Sequence, residues 1–104
     1  MNDEIITPEL ENQVLRFFET ETSFKRETIA FEIQDDGQFL LISISIDDLP
    51  ETEPVSTFRR VGDILNSMVP SRIDDYSWTV VFTKAGKVVD SYFGGNSASP
   101  DSGL

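Results

Sequence analysis

The sequence predicts a single α+β domain in which two helices and two β-hairpins alternate in the order αββαββ. Two amphipathic segments of helical period, about residues 8–20 and 57–69, predict the helices. Two stretches of alternating apolar residues, each divided by a glycine-containing turn, predict the hairpins. This order favours a four-stranded antiparallel sheet with both helices packed on one face. A chain of 104 residues has the length of one domain.

The first helix is predicted to begin at Thr7-Pro8, because threonine is a favoured N-cap and proline a favoured first helical residue. Apolar residues then recur at the spacing of one helical face. They are Leu10, Val14, Phe17 and Phe18. The polar segment 20–26 breaks this period and is predicted to connect the helix to the first hairpin.

The first hairpin is predicted from Glu27–Ile33 and Phe39–Ile46, with Asp36-Gly37 in the turn. Glycine can take the positive φ that such turns require, so this dipeptide is a strong hairpin signal. The second strand alternates clearly, which predicts an inner and an outer face. The inner residues are Leu40, Ile42, Ile44 and Ile46, and the outer ones are Leu41, Ser43 and Ser45.

The second unit repeats this order. Ser56 is predicted to cap a helix that ends before Pro70. The last hairpin is predicted over Tyr76–Thr83 and Lys87–Phe93. Trp78, Val80 and Phe82 are expected to face the core, and Thr79, Val81 and Thr83 to face outward. Asp90 is expected to point to solvent, together with Val88 and Tyr92.

The predicted domain spans residues 1–93, and the polar segment 94–104 is predicted to be a disordered tail. The two helix caps and the two hairpin glycines are each 49 residues apart (56 − 7 and 86 − 37). This offset is compatible with an internal duplication of 7–46 and 56–93. Two unrelated helix–hairpin units of similar length would align in the same way, so both readings stay open.

The composition excludes several kinds of site. The chain has 19 acidic and 8 basic residues, a net charge of −11, and neither histidine nor cysteine. The basic residues are scattered, which argues against direct binding to nucleic acids and against binding to anionic membrane surfaces. No apolar run has the roughly 20 residues of a membrane span, and the N-terminus lacks the features of a signal peptide, so a cytoplasmic location is expected.

No catalytic motif is present, and the serines have no histidine base. We therefore expect a protein that is not an enzyme and carries no metal or cofactor. Two features are candidate protein-binding sites. One is an acidic loop, and the other is the pair of adjacent aromatic residues on the last strand. Their residues are Asp47, Asp48, Glu51 and Glu53, and Tyr92 and Phe93.

Three function classes follow from these features. The first is a binding protein whose acidic surface caps a basic protein partner, as an inhibitor or immunity protein does. The second is a homodimeric chaperone that holds an extended client, and the third is a small-ligand carrier or enzyme. A small acidic α+β domain of this order resembles bacterial immunity proteins and type III secretion chaperones, but no motif selects one of these groups.

Overall fold

The computed structural model describes residues 5–22, 24–47, 55–73 and 75–96. These residues form two α-helices and four β-strands, and each helix is followed by two strands. Short 3-10 turns precede and follow the first strand. The predicted α+β class and αββαββ order are confirmed. The elements are α1 (Pro8–Glu21), β1 (Ile29–Gln34), β2 (Phe39–Ser45), α2 (Val55–Met68), β3 (Trp78–Lys84) and β4 (Lys87–Gly94).

The strands form one sheet in the order β1-β2-β3-β4. Both hairpins are antiparallel, but the central pair, β2 and β3, is parallel. The sheet is thus mixed, which differs from the fully antiparallel sheet predicted. The physical reason is the connection through α2, since a helix that crosses between neighbouring strands brings the chain back to begin the next strand in the same direction.

The core lies between one face of the sheet and both helices. In the two central strands, Leu40, Ile42 and Ile44 lie beside Trp78, Val80 and Phe82, and all six are buried. These residues were predicted to face inward, and the structure confirms it. The buried stripes of both helices join the same core. They are Leu10, Val14 and Phe18 of α1 and Phe58, Val61 and Leu65 of α2.

Trp78 is the point at which α2 meets the sheet. Its side chain is 1% exposed, and its indole Nε1 donates a hydrogen bond to Oδ1 of Asn66 on α2 at 3.1 Å. Gly94 pairs with Trp78 across the last hairpin. A Cβ atom at Gly94 would lie 2.5 Å from Oδ1 of Asn66 and 2.8 Å from Cζ2 of Trp78. The close approach of helix and strand therefore requires glycine here.

The turn of the first hairpin also anchors the N-terminal segment. Asp36 and Gly37 have φ values of 54° and 88°, as the predicted turn requires. The Gly37 carbonyl accepts hydrogen bonds from the backbone N–H groups of Ile5 and Ile6 at 3.0 and 2.9 Å. Ile6 is 2% exposed, and Ile5 packs against the same core.

Two predicted boundaries are shifted in the structure. Because α2 begins at Val55, Ser56 lies inside its first turn and is not the N-cap. Capping residues locate a helix start only to within one or two positions. β4 extends to Gly94, and Asn96 pairs with Arg72, so strand pairing continues past residue 93. Residues 97–104 of the predicted tail lie outside the described residues, and the duplication stays a prediction.

Replacing Gly94 with alanine is expected to lower the free energy of unfolding by about 1–3 kcal/mol, because the added methyl group overpacks the contact between Trp78 and Asn66. Gly62→Ala on α2 is the matched control. There the nearest atoms to a Cβ, on Trp78 and Tyr92, are at an ordinary 3.5 Å, and alanine raises helix stability by up to about 1 kcal/mol. Urea unfolding followed by Trp78 fluorescence measures both. Equal effects of the two variants would contradict this packing.

Candidate protein-docking surface

The face of the sheet opposite the helices is almost free of charge, and within the described residues no helix packs on it. We call it the open face. Charged residues make up 26% of the chain, yet only Glu32 is charged among the residues of this face. The open face consists of Ala30, Glu32 and Gln34 of β1, Phe39, Leu41, Ser43 and Ser45 of β2, Thr79, Val81 and Thr83 of β3, and Val88, Ser91 and Phe93 of β4.

The strand register arranges these side chains in rows across the sheet. One row runs from Glu32 through Leu41 and Thr79 to Phe93. The next row runs from Ala30 through Ser43 and Val81 to Ser91. In both rows, short hydroxyl side chains therefore alternate with apolar ones over β2, β3 and β4. Apart from Glu32 at its β1 edge, such a surface can pack closely against another protein without leaving a charge unpaired.

Two aromatic side chains lie at one end of the open face, and we call this pair the aromatic end. The rings of Tyr76 and Phe93 meet edge to face, with centroids 4.6 Å apart and an interplanar angle of 77°. Tyr76 is 41% exposed and Phe93 is 58% exposed. Exposed aromatic residues that hold each other in place can bind a partner with little loss of conformational entropy.

Arg72 holds this end together. Its Nη1 donates hydrogen bonds to Oδ2 of Asp35 at 3.1 Å and to the carbonyl oxygen of Tyr76 at 3.4 Å. Its backbone N–H donates to the carbonyl oxygen of Gly95 at 2.6 Å. The residue thus links the β1–β2 turn, the approach to β3 and the end of β4. Sequence reasoning missed it, because nothing in the sequence relates Arg72 to residues 35 and 95.

Arg72 also lines a groove of about 550 Å³ together with Gln38, Ser71 and Ile73. The groove is broad and open, and Ile73 at its border is 75% exposed. Among the described residues, its lining contains one guanidinium group and no carboxylate.

The two aromatic residues predicted as a binding site lie on opposite faces of the sheet. Phe93 is exposed on the open face. Tyr92 pairs with Val80 and is half-buried against the core, which corrects the expectation that it points outward. Asp90 also lies on the helix side, opposite Phe82.

A β-bulge explains this correction. Phe82 pairs with Asp90, whereas the next residue, Thr83, pairs with Val88, so Val89 has no partner in the ladder. An extra residue of this kind shifts the alternation of the strand. Val88 therefore faces outward as predicted, while Asp90 and Tyr92 face inward.

Tyr92 is part of a small polar cluster at the border of the core. Its hydroxyl donates a hydrogen bond to Oδ2 of Asp90 at 3.2 Å. Burial raises the pKa of Tyr92 above its usual value of 10.0, and the negative charge and the hydrogen bond of Asp90 raise it further. The nearby guanidinium of Arg59 on α2 acts in the opposite direction. This arrangement keeps the phenol neutral.

Asp47 has a structural role in addition to its charge. Its Oδ1 accepts a hydrogen bond from the backbone N–H of Ala85 at 2.7 Å, and its Oδ2 accepts one from Oγ of Ser45 at 3.1 Å. Ala85 has a φ of 54°, so the carboxylate supports a turn in a left-handed conformation. The other three residues of the predicted acidic site, Asp48, Glu51 and Glu53, lie outside the described residues.

Within the part of the chain that the structure describes, no three acidic residues are grouped closely enough to hold a metal ion. In the same residues, neither helix combines the length and the apolar composition needed to cross a membrane.

The role of Asp47 predicts different effects for two substitutions. Asp47→Ala is expected to lower the free energy of unfolding by about 1 kcal/mol, because the Ala85 N–H loses its acceptor. Asp47→Asn keeps an amide oxygen at this position and is expected to retain most of the stability. Urea unfolding of both variants is the measurement. Equal losses would show that the negative charge, and not the hydrogen bond, is what matters.

The environment of Tyr92 predicts a delayed ionisation. In a Tyr76→Phe variant, Tyr92 is the only tyrosine, and its phenolate absorbance is expected to rise at a pH above the usual value of 10.0. Adding Asp90→Asn is expected to move the midpoint back toward that value, since it removes the negative charge beside the phenol. Asp36→Asn, at the β1–β2 turn, is the control and should leave the midpoint unchanged.

The same shift predicts how stability depends on pH. A raised folded-state pKa means that the folded protein holds the tyrosine proton more tightly than the unfolded chain. The resulting stability is fully present below pH 10, the unfolded value, and is lost as pH rises through the folded-state pKa. Tyr92→Phe should remove this part of the alkaline loss, and an unchanged alkaline profile would contradict the assignment.

No protein-family model matches this chain, and no curated protein or solved structure is significantly similar to it. A function therefore has to be argued from the open face, the aromatic end and the distribution of charge around them.

Proposed function

We propose that this protein is a non-enzymatic binding domain that holds a basic protein on its open face, in the manner of an inhibitor or immunity protein. The observation that carries the proposal is the near absence of charge from one whole face of a chain with a net charge of −11. A face that only had to be solvated would be expected to carry the acidic residues found elsewhere on this protein.

The residues around the open face favour a basic partner. Asp35 and Asp36 follow β1 and Asp75 precedes β3, so three exposed carboxylates lie at the end of the sheet that also carries the aromatic pair, and the first of them is paired with Arg72. Lys84 and Lys87 lie at the opposite end, in the last hairpin. An uncharged centre with a charged border is the usual anatomy of a protein interface. A partner with basic groups beside the aromatic end would complement this arrangement.

The overall charge supports the same choice. A net charge of −11 repels acidic proteins and attracts basic ones over a range of about 8 Å at physiological ionic strength. Attraction of this kind speeds association and selects partners. The exposed ring of Phe93 then supplies an apolar contact within the interface, where aromatic residues contribute most.

The test uses two exposed serines that lie on opposite sides of the domain. Ser91→Arg places a guanidinium beside Val81 in the second row of the open face, and Ser67→Arg makes the same change on the exposed side of α2. Each variant is immobilised and exposed to an extract of the cells that produce the protein, and bound proteins are identified by mass spectrometry. We expect basic proteins that the unmodified chain and S67R retain and that S91R loses.

The retained protein is then purified and titrated against each variant by calorimetry. Phe93→Ala is expected to weaken binding about 30-fold or more, which corresponds to about 2 kcal/mol. Asp36→Asn should weaken it more than Glu9→Gln, a matched loss of one negative charge on α1. Raising the salt concentration from about 50 mM to about 300 mM should weaken it as well. Trp78 fluorescence confirms that each variant is folded.

Several results would overturn the proposal. One is that S91R and F93A bind the partner as the unmodified chain does. Others are that the retained proteins are acidic, that binding does not depend on salt, or that the unmodified chain retains no protein that S91R loses.

A further inference from the structure

The two edges of the sheet differ in how they are protected. β4 is interrupted by the bulge at Val89 and begins with Lys87, and both features hinder pairing with another strand. β1 has neither, since its six residues contain no proline and no lysine and keep an unbroken register with β2. Within the described residues, no strand lies on the outer side of β1.

The hydrogen bonds of β2 show which backbone groups of β1 face outward. The N–H group of Leu40 donates to the carbonyl oxygen of Ser77, just before β3, and the N–H group of Ile46, just after β2, donates to that of Thr83 in β3. The backbone N–H and C=O groups of even-numbered β2 residues therefore point toward β3, and those of odd-numbered residues point toward β1. The odd-numbered residues pair with Ala30, Glu32 and Gln34. Since successive residues of a strand point their backbone groups to opposite sides, the N–H and C=O groups of Ile29, Phe31 and Ile33 face the open edge.

We propose that this edge pairs with the same edge of a second copy of the chain. The pairing is antiparallel and centred on Phe31, so that Phe31 lies opposite Phe31 of the second copy and Ile29 lies opposite Ile33. Each of these pairs consists of two residues whose backbone groups face the open edge, so the two residues exchange two N–H···O hydrogen bonds. The result is one continuous sheet across a twofold axis, with both open faces on the same side.

The side chains of β1 fit this register better than they fit the two registers shifted by one step. On the helix side, the half-buried Ile29 and Phe31 and the 40% exposed Ile33 form an apolar cluster across the axis. On the open face, Glu32 lies opposite the small Ala30. A register shifted by one step would instead place the two Glu32 carboxylates opposite each other, which is destabilising. A shift in the other direction would leave Ile33 opposite Glu27, outside the strand.

Charge and size set the strength of this dimer. Two chains of net charge −11 repel each other, and an interface of one short strand pair is small, so the association is weak. Salt screens the repulsion and should therefore strengthen the dimer. This dependence is opposite to that of a basic partner on the open face. The dimer does not rest on the proposed function, and the two can fail separately.

Sedimentation equilibrium up to about 1 mM protein tests the pairing through Ala30. Ala30→Lys places an ammonium opposite Glu32 of the other copy twice per dimer, and should tighten the dimer roughly 2- to 30-fold. Ala30→Glu should weaken it by a similar factor. Ser67→Lys and Ser67→Glu on α2 make the same changes of net charge away from the edge and serve as controls. The proposal is wrong if the position 30 variants shift the equilibrium no more than these controls, or if the protein stays monomeric at every salt concentration.

Cross-linking tests the register directly, since the native chain has no cysteine. Residues 30 and 32 of the two copies form a non-hydrogen-bonded pair, whose Cα atoms are about 4.5 Å apart and within disulfide range. A mixture of Ala30→Cys and Glu32→Cys chains should therefore oxidise to the mixed disulfide faster than either variant cross-links to itself. Formation of the three products in random proportions would refute the register.

Discussion

The contact between Trp78 and α2 determines which face of this sheet is covered. The indole is enclosed between the helix and β4, its N–H is bonded to Asn66, and Gly94 opposite it lets the backbone approach. Since side chains alternate along a strand, the burial of Trp78 also places Val80 and Phe82 inside. Both α1 and α2 lie on that side, so within the described part of the chain no helix covers the opposite face.

That division of the sheet has an electrostatic counterpart. The acidic residues of α1 lie on its exposed side, and others occupy the turns at the border of the sheet, while the open face keeps only Glu32. The aromatic pair, Tyr76 and Phe93, is placed beside the acidic turn through Arg72, which bonds to both Asp35 and the Tyr76 carbonyl. Apolar contact and electrostatic attraction are thus available at one end of the same surface.

The open face and the β1 edge meet at Ala30 and Glu32, yet they offer different chemistry. The face presents side chains, whereas the edge presents backbone groups that no described strand pairs with, so one suits a folded surface and the other a strand. The proposed dimer would place two open faces next to each other. A partner with two basic sites would then be bound by both copies, which raises the affinity without new contacts.

The sequence by itself determined the local structure of this protein. The Thr7-Pro8 start, the Asp36-Gly37 turn and the inward positions of Trp78, Val80 and Phe82 follow from capping, turn and periodicity rules that act over a few residues. Only the tertiary structure decided the parallel pairing of β2 and β3, because it depends on where α2 crosses the sheet. It also decided that Asp90 and Tyr92 face inward, since a bulge is set by the partner strand. The candidate site was visible in part, through Phe93, whereas Arg72 and the uncharged open face emerge only when residues far apart in the chain are brought into register.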